Sequence, residues 1–435
     1  MSGILLGSLG IVALLVLLAL RVPIAIALGG VAVGGILILR GPEAAFGVLT
    51  TQPYGFIAHW TLSAIPMFLL MGSVAYHAGL TQSLYRAARL WLSWMPGGLA
   101  VASTAACAGF AAASGSSVAT ASAMGRIAIP EMMRYRYDPG LATGSVAAAG
   151  TLGSLIPPSI LMVIYAIFAE VSVSKALMAG ILPGLLSAAM FGLMIVIRCK
   201  LNPKLGPPVT DTVTWSERFS VLREVWPLPA LILGVIGGMY SGAFTSTEAA
   251  AGGAFLAILI AAAQRRLTYN VMKAAIIESL TGTAAVFFIA VGGVLLSRFM
   301  AFSGLPTFMG EWLEQFAVNK IIFIIAVSVI FVVLGCFLDS IGLMLLTIPI
   351  LLPMLDTVGA DLIWFGVLVI KYLEIGLVTP PVGMNVYVIK AVVGDKIPLE
   401  TIFKGIGWFV LTDVITLGIL IAFPEISLLI PRLME

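Results

Sequence analysis

The sequence predicts an all-α polytopic membrane protein built from two inverted-topology repeats, and three observations carry that prediction. Of the 435 residues, 60% are hydrophobic and only 10% charged, against about 25% charged in a soluble domain. The charged residues separate apolar runs of about 15 to 25 residues, the length a helix needs to cross roughly 30 Å of hydrocarbon. Two of those runs are interrupted by proline pairs, Pro157-Pro158 and Pro380-Pro381, at matching places in the two halves. Unbroken runs such as 4–20 and 321–338 exclude a β-barrel, whose strands alternate apolar and polar residues.

The first run, 4–20, has no basic segment ahead of it, and its first positive charge, Arg21, follows the apolar stretch. It reads as a retained helix rather than a cleaved signal. Positive charge marks the cytoplasmic side, so Arg21 places the N-terminus outside. Further spans fall near 23–39, 61–79, 140–170 and 176–197. Five crossings then bring a polar connector, 198–226, to the cytoplasm, where its Arg198, Lys200, Lys204, Arg218 and Arg223 fit. The same parity keeps Arg86, Arg89, Arg126, Arg134 and Arg136 inside, with only Arg40 and Lys175 outside. A second set follows near 227–240, 248–264, 280–297, 363–389 and 401–423, which returns the C-terminus to the outside. Its cytoplasmic loops carry Arg265, Arg266, Lys273, Lys390 and Lys396, whereas Arg298 and Lys320 are outside as exceptions. The chain divides into repeat one (1–197), the connector (198–226) and repeat two (227–435).

A shift of 223 residues carries Gly29-Gly30 onto Gly252-Gly253, Pro130 onto Pro353, Asp138 onto Asp361, Gly153 onto Gly376, Pro157-Pro158 onto Pro380-Pro381, and Gly184 onto Gly407. An odd number of crossings in each unit inverts one copy relative to the other, a signature of secondary transporters.

Each proline pair removes two backbone donors, so the spans 140–170 and 363–389 must each be two half-helices joined by an unwound link. Freed carbonyls in such a link suit a cation, and the positive end of the following half-helix suits an anion. Ahead of each broken helix lies a segment unlike a crossing. After Pro96-Gly97-Gly98 a small-residue stretch runs to Gly125 with Ser114-Gly115-Ser116-Ser117 past its middle, and Arg89 and Arg126 hold both ends on one side. It reads as a re-entrant hairpin, about 98–126. Its mate, about 321–349, has Cys336-Phe337-Leu338-Asp339-Ser340 near the tip. An ionisable group at that depth is costly unless paired, which makes Asp339 a functional candidate with a monovalent cation as its partner. Lys371 is the competing partner.

Other chemistries are excluded. No stripe of Lys and Arg interleaves with aromatics, so nucleic acid is not a partner. Cys107, Cys199 and Cys336, with His59 and His77, are not in zinc-ligand spacing, and the cysteines read as small packing residues. No phosphate-binding P-loop is present. An enzyme would need a nucleophile and base at membrane depth, whereas His59 follows a loop-like Gln52-Pro53-Tyr54 and His77 lies at a helix end.

Taken together, Gly115-Ser116-Ser117-Val118-Ala119-Thr120 through Pro130-Glu131-Met132, Leu155-Ile156-Pro157-Pro158-Ser159, Phe244-Thr245-Ser246-Thr247-Glu248-Ala249-Ala250-Ala251 and Thr379-Pro380-Pro381-Val382-Gly383 resemble the recurrent motifs of one family. It is the large membrane subunit of tripartite ATP-independent periplasmic (TRAP) transporters, and the resemblance spans essentially the whole chain. The family has Pro where Ser246 stands and usually Gly where Arg136 stands. The resemblance implies an elevator-type, sodium-driven importer of small organic acids in the bacterial inner membrane, with sodium as coupling ion and no transition metal or other cofactor. It also implies two partners, a small four-helix membrane subunit and a periplasmic binding protein. Carried onto matching positions, one sodium site uses Ser114 and Ser116 with carbonyls at Gly153, Ile156 and Pro158; the second uses Asp339 with Gly376, Thr379 and Pro381. Ser117, Thr120, Ser159 and Asn385 are the substrate candidates. The segments 98–170 and 321–390 are expected to move together against the other spans. The alternative is a stand-alone sodium/carboxylate symporter of the same architecture without a binding protein.

Overall fold

A computed structural model describes residues 2–209, 214–315 and 319–434, and the described residues contain helices and no strand. Among the described residues, five helices are long and apolar enough to cross a membrane, and up to seven when each bent pair counts as one span; Gly3–Ala19, Ile24–Arg40, Gly98–Ser114 and Lys320–Gly335 are shorter apolar helices. Spans expected from the sequence are found within a few residues of Gly3–Ala19, Ile24–Arg40, Pro227–Tyr240, Ser246–Ala263 and Leu399–Ala422.

Two expectations are corrected, and the connector acquires a helix. The segment 42–57, read as an outer loop, is the helix Pro42–Ile57, bent by 56° against Trp60–His77. Pro42 fills its first turn, where no donor is lost, and Pro53 lies inside it. Packing along Ile24–Arg40 and Tyr269–Ser303 supplies what its polar sequence lacks. The span 280–297 is part of a 35-residue helix, Tyr269–Ser303, extended at both ends. The connector holds the helix Trp215–Val225, begun by a capping box in which the Thr214 and Glu217 side chains satisfy each other's backbone donors.

Both proline-containing spans break. The first runs as Pro139–Gly150, a 3-10 turn Thr151–Ser154, and Ile160–Phe168 after the prolines; the second as Leu362–Val378 and Met384–Val393. Both Pro-Pro bonds are cis. Each first half is started by an aspartate: Asp138 accepts from the Leu141 N–H and Asp361 from the Trp364 N–H, both at 2.9 Å.

The segments 98–126 and 321–349 lie within two helix–turn–helix units whose second arms run further, to Arg134 and Thr357. Gly98–Ser114 turns at Gly115, whose φ of +62° suits glycine, into Ser117–Arg134; Lys320–Gly335 turns through 336–339 into Ser340–Thr357. The return arms are capped by Ser116, which accepts from the Ala119 N–H at 3.4 Å, and by Asp339, which accepts from the Gly342 N–H at 3.0 Å.

Small residues let these elements touch backbone to backbone. Gly140 and Gly144 on the first broken helix lie on Gly405 of Leu399–Ala422, so closely that a Cβ at Gly405 would stand 2.5 Å from the Gly140 carbonyl carbon. Gly405→Val is therefore expected to prise these helices apart at a cost of about 1–3 kcal/mol, read as a lower thermal unfolding midpoint of the purified protein.

Candidate functional site

The tip of the first hairpin and the first helix break form one cluster. Ser114 Oγ and Thr120 Oγ1 are 2.7 Å apart, and Thr120 Oγ1 donates to the Ser116 carbonyl at 2.8 Å. Gly153 presses on that carbonyl, because a Cβ there would lie 2.6 Å from Ser116 O. Gly115 abuts the Pro158 carbonyl in the same way. Ser117 Oγ meets Ser154 Oγ and donates to the Thr151 carbonyl at 3.2 Å. Ser159 Oγ donates to the Ser154 carbonyl and accepts from the Met162 N–H at 3.1 Å, capping the half-helix after the prolines. Of the residues selected by sequence, Ser114, Ser116, Ser117, Thr120, Gly153, Pro158 and Ser159 thus converge. Ile156 points its side chain at Gly184 of Ile181–Leu201. Asn385, fully buried, donates from Nδ2 to the Ala147 carbonyl at 3.3 Å, one turn before Thr151; its Oδ1 has no partner among the described residues. The second broken helix thereby touches the first close to the serine cluster. Ser154 and Thr151 belong to the cluster and were not singled out, although Ser154 stands immediately before the motif Leu155-Ile156-Pro157-Pro158-Ser159.

The second tip is looser. Gly376 lies against Gly335 at the end of the first hairpin arm, where a Cβ would meet the Gly335 carbonyl at 2.7 Å. Thr379 Oγ1 donates to the Ile375 carbonyl at 2.6 Å, and Pro381 is exposed. The Thr379 hydroxyl proton thus goes to its own helix, and the Asp339 carboxylate caps the return arm. The tip carries one formal negative charge, four residues after the glycine that meets Gly376.

The competing Lys371–Asp339 pair does not form. Lys371 Nζ lies 2.6 Å from Asp413 Oδ1, 3.2 Å from Glu374 Oε2 and 3.1 Å from Ser187 Oγ, and Lys371, Glu374 and Asp413 are all 0% exposed. This cluster ties the second broken helix to Ile181–Leu201 and Leu399–Ala422. Glu374 and Asp413 were missed, although both are ionisable groups within apolar runs, the rule that selected Asp339. Away from the tips, Gln52-Pro53-Tyr54 is helical rather than loop-like, and His77 ends its helix 2.7 Å from Glu278. Cys107, Cys199 and Cys336 are buried and unbridged.

Comparison with known proteins supplies what the geometry does not. Residues 11–426 match the family described as "Tripartite ATP-independent periplasmic transporter, DctM component". The C4-dicarboxylate TRAP transporter large permease protein DctM of Pseudomonas aeruginosa is 35% identical over 86% of this chain and 87% of its own. The sialic acid TRAP transporter large permease protein SiaM of Vibrio cholerae is 32% identical over 88% of each. These relatives are transporter permeases, not enzymes. The solved Alcanivorax borkumensis YdaH transporter shares the fold, with a TM-score of 0.59 over 88% of this chain and 89% of that one at 15% identity.

Proposed function

Because the chain belongs to the family of the DctM component of tripartite ATP-independent periplasmic transporters, we propose that it imports a small organic acid, coupled to sodium, by an elevator movement of its hairpins and broken helices. The observation that carries the reading is the recurrence of one arrangement at an interval of 223 residues. Gly153 meets the first hairpin near its tip and Gly376 meets the second. The caps Ser116 and Asp339, and the caps Asp138 and Asp361, recur at that same interval. This recurrence supports two repeats of opposite topology, and with them a pair of cation sites: Ser114 and Ser116 with carbonyls at Gly153, Ile156 and Pro158, and Asp339 with Gly376, Thr379 and Pro381. The acid binds beside them at Ser117, Thr120, Ser159 and Asn385, where the positive end of the half-helix after Pro158 faces it.

The relatives' named solutes, a C4-dicarboxylate and sialic acid, support a carboxylate as cargo. We place the protein in the inner membrane with both termini outside, beside a small four-helix membrane subunit and served by a periplasmic binding protein. The moving body is drawn wider than 98–170 and 321–390. A fully buried Lys371–Asp413 pair and the Gly140–Gly405 backbone contact cannot be broken and remade in each cycle at acceptable cost, so Leu399–Ala422 travels with it.

The test is uptake into liposomes holding both membrane subunits, with the binding protein and labelled acid outside. Replacing sodium by choline on both sides is expected to abolish concentrative uptake. Unchanged uptake in choline overturns the coupling, and full uptake without any binding protein identifies a stand-alone symporter.

A further inference from the structure

A cavity of about 1020 Å³ opens among the helix Pro42–Ile57, the turn after Phe168, the start of Ser246–Ala263 and the last turns of Tyr269–Ser303. It is separate from the serine cluster, and it takes in the Thr245-Ser246 motif, which the transport reading leaves without a role. Arg298 stands on its wall, with Nε donating to Gln52 Oε1 at 3.0 Å. Among the described residues Arg298 forms no ion pair. The Gln52 contact fixes the plane of the guanidinium and leaves its two terminal nitrogens as a fork of donors. Thr51, Thr245 and Ser297 line the same cavity. Thr245 is locked in place, since its N–H and hydroxyl both donate to Glu248 at 2.8 Å and its Oγ accepts from the Glu248 N–H at 3.3 Å. The other groups on the wall able to carry charge are His59 and Glu170, the latter at a φ of +54° on the turn.

We infer that this cavity is a second binding site for a small organic acid, whose carboxylate lies on the Arg298 fork while any hydroxyl it carries donates to Glu170. A bidentate guanidinium–carboxylate contact is among the stronger polar contacts available to an exposed site, and the volume suits a solute of that size. The inference rests on the proposed function for the identity of the cargo and for the side of the membrane, which puts Arg298 outside. The site then holds the acid between its arrival and its passage to the hairpin tips.

The test does not need transport. In purified protein, whose three native cysteines are buried, Thr51→Cys is labelled with a sulfonate-bearing and with a trimethylammonium-bearing methanethiosulfonate reagent. The sulfonate reagent is expected to react about threefold faster than after Arg298→Gln, the change a unit charge several ångströms away produces in a high dielectric. Millimolar succinate should protect the thiol in the first background and not in the second, and glycerol in neither. Arg298→Lys, which keeps the charge and loses the fork, should retain the reagent preference and lose most of the protection; if Arg298→Gln does not fold, this variant decides. Equal sulfonate rates with and without Arg298, or protection by succinate that survives the loss of the fork, overturns the site. Protection in a protein that imports no acid leaves the site standing and overturns the proposed function instead.

Discussion

Lys371→Met leaves two carboxylates, Glu374 and Asp413, buried at zero exposure with no cation between them. The expected loss is about 3–5 kcal/mol, enough to remove most folded protein from the membrane at ordinary growth temperature. Asp413→Asn should cost less, because Lys371 keeps Glu374 as its counter-ion. The triple change Lys371→Met, Glu374→Gln, Asp413→Asn should recover much of what the single lysine change loses, since it leaves no uncompensated charge in the core. Detergent-resistant folded protein on size-exclusion chromatography, and its thermal unfolding midpoint, give the ranking. A lysine variant as stable as the parent would show that the cluster does not hold the three helices together.

Asp339→Asn is expected to act differently. The carboxylate's structural task is a cap on the Gly342 N–H, and an asparagine side-chain oxygen caps nearly as well. Folding should therefore be preserved while a full negative charge leaves the proposed second cation site. At an effective dielectric between that of water and that of the interior, such a charge is worth more than 1.4 kcal/mol to a cation about 4 Å away, so the sodium concentration for half-maximal uptake should rise about tenfold or more. Uptake assayed over a sodium series, at matched amounts of folded protein, reads this directly. No double change with Lys371 is needed to separate the two roles, because Lys371 is held by Asp413 and Glu374 elsewhere in the protein.

What the sequence disclosed follows from what each signal measures. Proline pairs act on the backbone locally, so both breaks could be placed to the residue, and the hairpin tips followed from serines and an aspartate set among small apolar residues. Pro42–Ile57 escaped because its Thr50, Thr51, Gln52 and Pro53 lower its hydropathy, while neighbouring helices supply its stability. Glu374 and Asp413 are separated by 39 positions in the chain, and only the packing of Leu362–Val378 on Leu399–Ala422 makes them partners of one lysine. The Lys371–Asp339 alternative arose from the same blindness, since similar depth in the membrane does not establish adjacency. Tertiary contact, rather than local pattern, also brings Asn385 to Ala147 and so joins the two broken helices.

The central claim is that each hairpin and broken-helix pair holds its own sodium ion. Equilibrium binding of sodium-22 to the purified transporter, in wild type and in Asp339→Asn, tests it most directly. The account predicts saturable binding of at least two ions in the wild type and, over the wild-type concentration range, one fewer in Asp339→Asn, with the folded fraction unchanged. Identical binding curves for the two proteins would contradict it.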